Sequence, residues 1–234
     1  MIDYKRYLTA FAERIKKFIT IRNMRITLFA LACALALTAG GIFYAQWQEG
    51  ETAARNAQAL LNASGVTASA SITSNPESAP AAGASAASAQ ATSSALPSDL
   101  QGYTVIARLD IGKLDLSLPV LSETTDKALT VSACRYQGPE PGGQGNLVIT
   151  GHDYRSGAIF GNLSKLAVGD AVSLTAKDGK TYSYAVYAID HINSDDAQAL
   201  DDAKYTNELS LLTCELSGNG RLLVRCRETS SLNA

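Results

Sequence analysis

Apolar and polar positions follow three different patterns along this chain. Residues 26–47 contain no charged residue and form one continuous apolar stretch. Residues 63–97 consist almost entirely of Ala, Ser, Thr, Gly and Pro. From Ser98 onward, short apolar or alternating runs recur between turn residues, which is typical of an all-β sandwich or barrel. The pattern therefore predicts an apolar N-terminal segment, a low-complexity segment and a β-domain.

Strands of the β-domain are predicted where apolar or alternating runs lie between turn signals. They cover residues 104–109, 114–120, 146–150, 171–175, 182–189, 209–213 and 221–227, and the pattern also allows a short strand near 133–136. The strongest hairpin signal is the pair Asp178 and Gly179 between two alternating runs. Two short helices are predicted at 125–130 and 158–166. A domain of about 135 residues can bury an adequate core without disulfides.

The apolar segment has the length and flanks of a membrane anchor. Roughly 20 apolar residues cross a hydrocarbon core of ~30 Å, and residues 26–47 satisfy this requirement. Basic residues dominate residues 1–25, so the positive-inside rule places the N-terminus in the cytoplasm and the β-domain outside. The alternative is a cleaved signal peptide with its cleavage site near residues 39–41. The apolar run exceeds the usual ~7–15 residues of such a peptide, which favours an uncleaved signal anchor.

The segment after the anchor is expected to be a tether. Residues 46–62 are rich in Ala, Gln and Glu and can continue the helix past the membrane. Residues 63–97 have too little apolar bulk to offset the entropy of ordering, so a disordered tether with a reach of roughly 30–35 Å is predicted. A glycosylated Ser/Thr-rich stalk would have the same mechanical role. The expected organisation is a cytoplasmic segment (1–25), a transmembrane anchor (26–47), an extracellular tether (48–97) and a β-domain (98–234).

Global composition excludes several functions. The 234-residue chain has a net charge of −2, which gives no reason to expect nucleic acid. Four scattered cysteines without a CxxC pair do not form a disulfide framework. Only two histidines are present, so a zinc site of His and Cys ligands would have to be assembled from distant residues.

Three chemically suited side chains lie at predicted strand ends. Cys214 follows the strand 209–213, Arg221 begins the next strand, and His152 follows the strand 146–150 and a glycine. Loops at strand ends are where a rigid scaffold presents reactive groups. An imidazolium near a thiol raises the thiolate fraction, and an arginine can stabilise the oxyanion formed when a thiolate attacks a carbonyl. Together they have the parts of a cysteine acyl-transfer site.

Each of these residues also has a plainer interpretation. A free cysteine is commonly a buried core residue, and the pleat of strand 221–227 predicts this for Cys226. Spacing alone does not choose between His152 and His191, because both follow apolar strands. Arg221 can equally be one more exposed arginine, although a hairpin through the glycine-rich turn would bring it near Cys214.

The β-domain resembles the sortases, the membrane-anchored cysteine transpeptidases of Gram-positive bacteria. The segment Ser-Leu-Leu-Thr-Cys at 210–214 is similar to the family motif Thr-Leu-x-Thr-Cys, with Ser in place of the first Thr. The family histidine follows an apolar strand, as His152 does, and the family arginine opens the last strand, as Arg221 does. The turn at 141–146 and the segment 159–163 are also sortase-like. The resemblance selects His152 over His191 and Arg221 over Arg225.

The resemblance implies a closed eight-stranded β-barrel with short helices, preceded by one transmembrane helix. It implies an enzyme that cleaves a Leu-Pro-x-Thr-Gly-like sorting signal through a thioacyl intermediate on Cys214. The acyl group would pass to an amine of a peptidoglycan precursor or of a pilin subunit. His152 would be the general acid and base, and Arg221 would hold the oxyanion or the substrate backbone.

The sequence also bears on a calcium site and on three other functions. No cofactor is expected, since the acidic residues Asp195, Asp196, Asp201 and Asp202 are better explained as a solvated loop than as a calcium site. A papain-like peptidase would place Cys before His, and the order here is the reverse. An L,D-transpeptidase would show a Ser-His-Gly-Cys-type motif, which is absent. The alternative from a different class is an anchored extracellular β-domain that only binds.

Overall fold

The computed structural model describes residues 4–66, 97–196, 198–201, 204–214 and 220–229. The chain divides into two compact units, Met1–Trp47 and Gln48–Ala234. Helix α1 (Tyr4–Ser64) provides the first unit and the start of the second. Among the described residues, one helix is long and apolar enough to cross a membrane. Its candidate span lies within Leu28–Ser64, with a mean hydropathy of 2.0 over the most apolar window, none of which is buried.

Eight described strands form a closed barrel. They are β1 (Val105–Ile111), β2 (Leu116–Leu121), β3 (Ala133–Gln137), β4 (Gly145–Thr150), β5 (Ala171–Ala176), β6 (Thr181–Asn193), β7 (Asn207–Cys214) and β8 (Gly220–Glu228). Their order around the barrel is β1-β2-β3-β4-β7-β8-β6-β5. The pairs β2–β3 and β4–β7 are parallel and the others antiparallel. Two one-turn helices, α2 (Asp126–Leu129) and α3 (Gln198–Asp201), complete the unit. The predicted eight-stranded barrel is therefore confirmed.

Alternation along the strands separates an interior core from an outer face. On β7, Leu209 and Leu211 belong to the main core cluster, while Leu212 belongs to a separate cluster with Leu223. Successive side chains of a strand point to opposite faces, so the second cluster lies on the outside of the sheet. Cys226 is fully buried in the main cluster, as its position in the pleat predicts.

The prediction of a helix at 158–166 is wrong. The structure has only a short 3-10 turn there, Leu163–Lys165. Ile159 has a φ of 53° and forms an isolated bridge with Asp153. A positive φ at a β-branched residue is incompatible with a right-handed helix, so the segment folds back as a tight loop instead.

Residues 48–66, the first part of the expected tether, are described by the structure. This part continues α1 and belongs to the barrel's compact unit. Ala53 and Ala57 are buried in the main core cluster, and Leu60 and Val66 in a second cluster that contains Leu100 of the β-domain. Small side chains on one face let the helix approach the barrel closely, so this segment packs instead of remaining solvated. Residues 67–96 of the expected tether lie outside the described residues.

Candidate active site

The parallel strands β4 and β7 end at the same level. Thr150 pairs with Leu212, and the pairing continues one residue further. There the Gly151 N–H donates to the Leu212 carbonyl at 3.1 Å, and the Thr213 hydroxyl donates to the Gly151 carbonyl at 2.8 Å. The next residues along the two strands are His152 and Cys214. The register therefore brings the predicted histidine and cysteine to one edge of the sheet.

Gly151 allows this close approach of the histidine loop. A Cβ at this position would lie 2.8 Å from Ile159 Cγ2 and 2.9 Å from Phe160 Cδ2. Real Cβ atoms do not approach other carbons so closely, and both neighbours are fully buried. A side chain at residue 151 would push the histidine loop away from the end of β7.

Cys214 and Arg221 face each other across the β7–β8 pair. Cys214 is the last residue of β7, Arg221 is the second residue of β8, and the two are direct partners in the register. Side chains of such a pair lie on the same face with Cβ atoms about 4.5–5.5 Å apart. Cys214 is exposed and Arg221 is half-buried. The predicted turn at 217–220 lies outside the described residues except for Gly220.

The two other candidates, Arg225 and His191, are placed differently. Arg225 donates through Nε to Asp190 at 2.9 Å and through a terminal nitrogen to the Ala199 carbonyl at 2.5 Å. Its guanidinium therefore holds α3 on the outside of the barrel. His191 pairs with Leu222, whose side chain is in the main core cluster, so the histidine lies on the opposite face from Arg221.

The Nε of the Arg221 guanidinium is a hydrogen-bond donor that a ligand could use. Its Nε is buried and has no hydrogen-bond partner among the residues that the structure describes. A buried unsatisfied donor costs about 1–3 kcal/mol, so a native site that retains one has a use for it. A ligand carbonyl or oxyanion next to Cys214 would satisfy this nitrogen.

An apolar strip on the outer face leads to these side chains. It comprises Val148 on β4, Leu212 on β7 and Leu223 on β8, with Leu200 of α3 packed against them. Leu212 and Cys214 are two residues apart on β7 and therefore share a face. The strip is thus continuous with the thiol edge.

Hydrogen bonds fix the segment that carries α3 over this strip. Asn146 donates to the Leu200 carbonyl at 2.8 Å, and the Ser210 hydroxyl donates to Asn146 at 2.8 Å. The buried Glu208 carboxylate accepts from the backbone N–H groups of Lys204 and Tyr205, both at 2.6 Å. The described part of the β6–β7 connection is therefore held against the barrel at Leu200 and at residues 204–205.

The described cysteines of the barrel unit differ sharply in access. Burial raises the pKa of the Cys134 thiol to about 12. Burial also raises the pKa of Cys226, with a smaller contribution from the charge of Glu208. Both thiols are inert near neutral pH, whereas Cys214 is exposed.

Two of the four acidic residues considered as calcium ligands accept hydrogen bonds from neighbouring groups. Asp196 accepts from the Ala199 N–H at 3.2 Å, and Asp201 accepts from Gln137 at 2.9 Å. Within the described residues, no group of three His, Cys, Asp or Glu side chains is arranged to hold a metal. Asp202 lies outside the described residues.

Two residues at the site were missed from the sequence. Tyr154 lies edge-on to His152, with ring centroids 5.5 Å apart and an interplanar angle of 69°. Gly50 of α1 packs against Tyr154 and Ser156. The available signal was the spacing of Gly50, Ala53, Ala57 and Leu60, which recurs at helical intervals of three and four residues.

A closed eight-stranded barrel that places a cysteine, a histidine and an arginine at one edge has the groups that cysteine acyl transfer requires. The sortase domain family profile matches residues 109–229, and the chain belongs to the sortase family.

Individual relatives agree with this assignment. The chain is 31% identical to sortase A of Bacillus anthracis over 111 residues, which cover 47% of this chain and 52% of the relative. It thus spans about half the length of that protein. Among solved structures, sortase A from Corynebacterium diphtheriae is 28% identical with a TM-score of 0.50, covering 54% of this chain and 61% of the other. Sortase C-1 from Actinomyces oris is 27% identical with a TM-score of 0.50, covering 53% and 74%.

Proposed function

We propose that this protein is a membrane-anchored cysteine transpeptidase that cleaves a Leu-Pro-x-Thr-Gly-like sorting signal and transfers the acyl fragment to an amine. The observation that carries the proposal is the register pair of Cys214 and Arg221, with His152 at the adjoining strand end. A nucleophile, a proton carrier and a fixed cation on one edge are the requirements of acyl transfer.

The first half of the reaction forms a thioester. The Cys214 thiolate attacks the carbonyl carbon of the residue before the scissile bond, and the carbonyl oxygen becomes negative. Arg221 donates to this oxyanion, which uses the buried Nε that is otherwise unpaired among the described residues. When the C–N bond breaks, His152 gives a proton to the leaving amine. The acyl group remains on the sulfur.

The second half resolves the thioester. The acceptor amine attacks the thioester carbonyl and gives a proton to His152, and the Cys214 thiolate leaves. An amide bond is formed and the thiolate–imidazolium pair is regenerated, so the cycle is balanced without an external oxidant or reductant. Amines of a peptidoglycan precursor and of a pilin lysine are both proposed acceptors, because either supplies the required primary amine.

The sorting signal is proposed to bind on the outer face at the ends of β7 and β8, where its scissile carbonyl would lie next to Cys214 and Arg221. The apolar residues Val148, Leu212 and Leu223 on the same face are buried beneath α3. They therefore hold α3 against the barrel beside the site and do not themselves contact a peptide.

Localisation and cofactor requirements follow from the same proposal. The N-terminal helix would anchor the enzyme with its N-terminus in the cytoplasm and the barrel outside, because basic residues precede the candidate span. There, sorting-signal proteins and wall precursors are accessible. The reaction needs no cofactor, and we expect its rate to be unchanged by EDTA and by added calcium. A calcium-dependent rate would contradict this part of the proposal.

The deciding experiment traps the acyl-enzyme. The full chain, reconstituted in lipid nanodiscs, is incubated with a library of Leu-Pro-x-Thr-Gly-like peptides and analysed by intact mass spectrometry, with and without an amine. We expect an adduct on Cys214 that disappears when the amine is added. Cys214→Ala should form no adduct, while Cys33→Ala serves as the matched control because Cys33 lies in the other unit. An unchanged cleavage rate in Cys214→Ala would overturn the proposal and favour another peptidase. Binding without turnover by the wild type would favour the anchored binding domain.

A further inference from the structure

The backbone of the histidine loop is held rigidly. The Phe160 N–H donates to the His152 carbonyl at 3.0 Å, and the Gly157 N–H donates to the Tyr154 carbonyl at 2.9 Å. Asp153 and Ile159 form a bridge between these bonds. The loop therefore fixes the Cα of His152, but it leaves the ring torsions of the side chain undetermined.

The imidazole ring needs a second constraint. Among the residues that the structure describes, no hydrogen-bond partner holds the His152 ring, and its aromatic contact is an edge-to-face pair with Tyr154 whose ring centroids are 5.5 Å apart. Edge-to-face aromatic pairs contribute about 0.5–1.5 kcal/mol beyond the area they bury. This energy is enough to favour one ring orientation over its alternatives.

Tyr154 is itself clamped from the other side by α1. A Cβ built on Gly50 would lie 3.1 Å from Tyr154 Cβ, 3.0 Å from Ser156 Cβ and 2.0 Å from Ser156 Oγ. Gly50 is buried, and Tyr154 packs against the main core cluster. Burial, assisted by the charge of Glu49, also raises the pKa of the Tyr154 phenol, which keeps the ring neutral.

We propose that Tyr154 is a positioning residue for His152 and that Gly50 of α1 holds Tyr154 in place. The inference rests on the proposed acyl-transfer function, and it assigns a role in that chemistry to a helix outside the β-domain. Contact runs from the helix backbone at Gly50 to the Tyr154 side chain and then to the imidazole. Displacing the helix would rotate the imidazole away from Cys214 without touching substrate.

The first test compares Tyr154→Phe, Tyr154→Leu and Tyr154→Ala in the full chain in nanodiscs. Tyr154→Phe keeps the ring edge, so wild-type behaviour is expected. Tyr154→Leu keeps most of the volume but loses the aromatic edge, and Tyr154→Ala loses both. For these two we expect kcat/KM to fall about 2-fold to 12-fold through kcat, the rate factor that corresponds to the energy of the lost edge contact.

A second readout needs no substrate. The rate of Cys214 alkylation by iodoacetamide is measured against pH, since a nearby imidazolium favours the reactive thiolate. We expect the profile of Tyr154→Leu to move to higher pH and that of Tyr154→Phe to match the wild type. If Tyr154→Leu matches the wild type in both kcat and the alkylation profile, the inference is overturned. The inference is also overturned if kcat falls as much in Tyr154→Phe as in Tyr154→Leu.

The helix contact is tested with a matched pair of substitutions. Gly50→Val places a branched side chain against Tyr154 and Ser156, whereas Ala54→Val adds the same side chain type on the exposed face of the same helix. Only Gly50→Val should shift the alkylation profile. Gly50→Ala should be partly rescued by Ser156→Ala, which removes the atom at 2.0 Å. Equal effects of both valines would refute the role of Gly50.

These results separate the inference from the proposed function. An alkylation shift in Tyr154→Leu, combined with a wild type that forms no acyl-enzyme, would retain the positioning role and reject the transpeptidase. An acyl-enzyme in the wild type with unchanged Tyr154→Leu kinetics would retain the transpeptidase and reject the positioning role.

Discussion

Removal of the Arg221 guanidinium tests the central arrangement of the site. Arg221 is the direct register partner of Cys214, and its Nε is buried without a partner in the described part of the chain. Loss of one oxyanion donor typically lowers kcat by about 10²–10³, or about 2.7–4 kcal/mol of transition-state stabilisation. We therefore expect Arg221→Ala to lower kcat by this factor. Arg221→Lys keeps the charge but loses the planar fork of donors, so an intermediate loss of about tenfold is expected.

The assay is steady-state cleavage of a fluorogenic sorting-signal peptide, together with thermal unfolding. Because the Arg221 Nε is buried and bonds to no described residue, its removal should not lower the unfolding midpoint. Arg227→Ala is the matched control on the same strand, where the exposed guanidinium only lies over the Tyr205 ring at 5.8 Å. Its kcat should remain within about twofold of the wild type.

Two results would refute this reasoning. A kcat for Arg221→Ala within about threefold of the wild type would show that no oxyanion donor was lost. A larger loss in Arg225→Ala than in Arg221→Ala, at equal thermal stability, would transfer the role to Arg225. The structure argues against the second outcome, since the Arg225 guanidinium is occupied by Asp190 and the Ala199 carbonyl.

Three further predictions concern other parts of the barrel. Glu208→Ala removes the acceptor of two backbone N–H groups and of the Tyr187 hydroxyl, so we expect the free energy of unfolding to fall by about 1–3 kcal/mol in urea titrations; an unchanged midpoint would contradict this. Peptide mapping at pH 8 should find iodoacetamide on Cys214 well before Cys134, whose pKa is raised to about 12; equal labelling would disprove it. Burial and Glu208 raise the Tyr187 pKa to about 12, above the unfolded value of about 10. The unfolded state therefore loses this proton first, and stability falls from about pH 10 to 12. Tyr187→Phe should flatten that fall.

The strands of the barrel were predictable because their signal is local. Alternation and turn residues identified seven of the eight strands and allowed the short strand near 133–136, with ends displaced by a few residues at most. The longest shift is at β6, which continues to Asn193 beyond the predicted residue 189. Three of its last four residues are polar, namely Asp190, His191 and Asn193, and they are held in the ladder by pairing with β8. Such pairing partners are distant in sequence, so the local pattern does not contain them.

The candidate site was predictable in part. The juxtaposition of Cys214 and Arg221 follows from a hairpin, which is a local element. The choice of His152 over His191 needed the family resemblance, because it depends on which face each strand end presents after parallel pairing with β7. The loop at Ile159 could not be foreseen, since its positive φ is imposed by tertiary bonds to Asp153 and His152.

The packed face of α1 was hidden by its composition. Ala53 and Ala57 have little hydrophobicity of their own, and the surrounding residues are Gln, Glu and Asn. Propensity and low apolar content therefore suggested a solvated helix followed by a tether. The contact is specified by small side chains, because they let the helix backbone approach the barrel closely. Such steric complementarity is visible only once both surfaces are known.

The packing of the residues on either side of 67–96 has a consequence for the evolution of this protein. Val66 and Leu100, on either side of that segment, belong to the same buried cluster, and the boundary between the two units falls within α1. The residues on both sides of the segment are thus held in one cluster of the barrel unit. The entropy of closing such a connection grows only logarithmically, by about 0.6 kcal/mol for each doubling of its length. Selection on stability would therefore tolerate large insertions and deletions here, and this is the position where an epitope or reporter could be inserted at small thermodynamic cost.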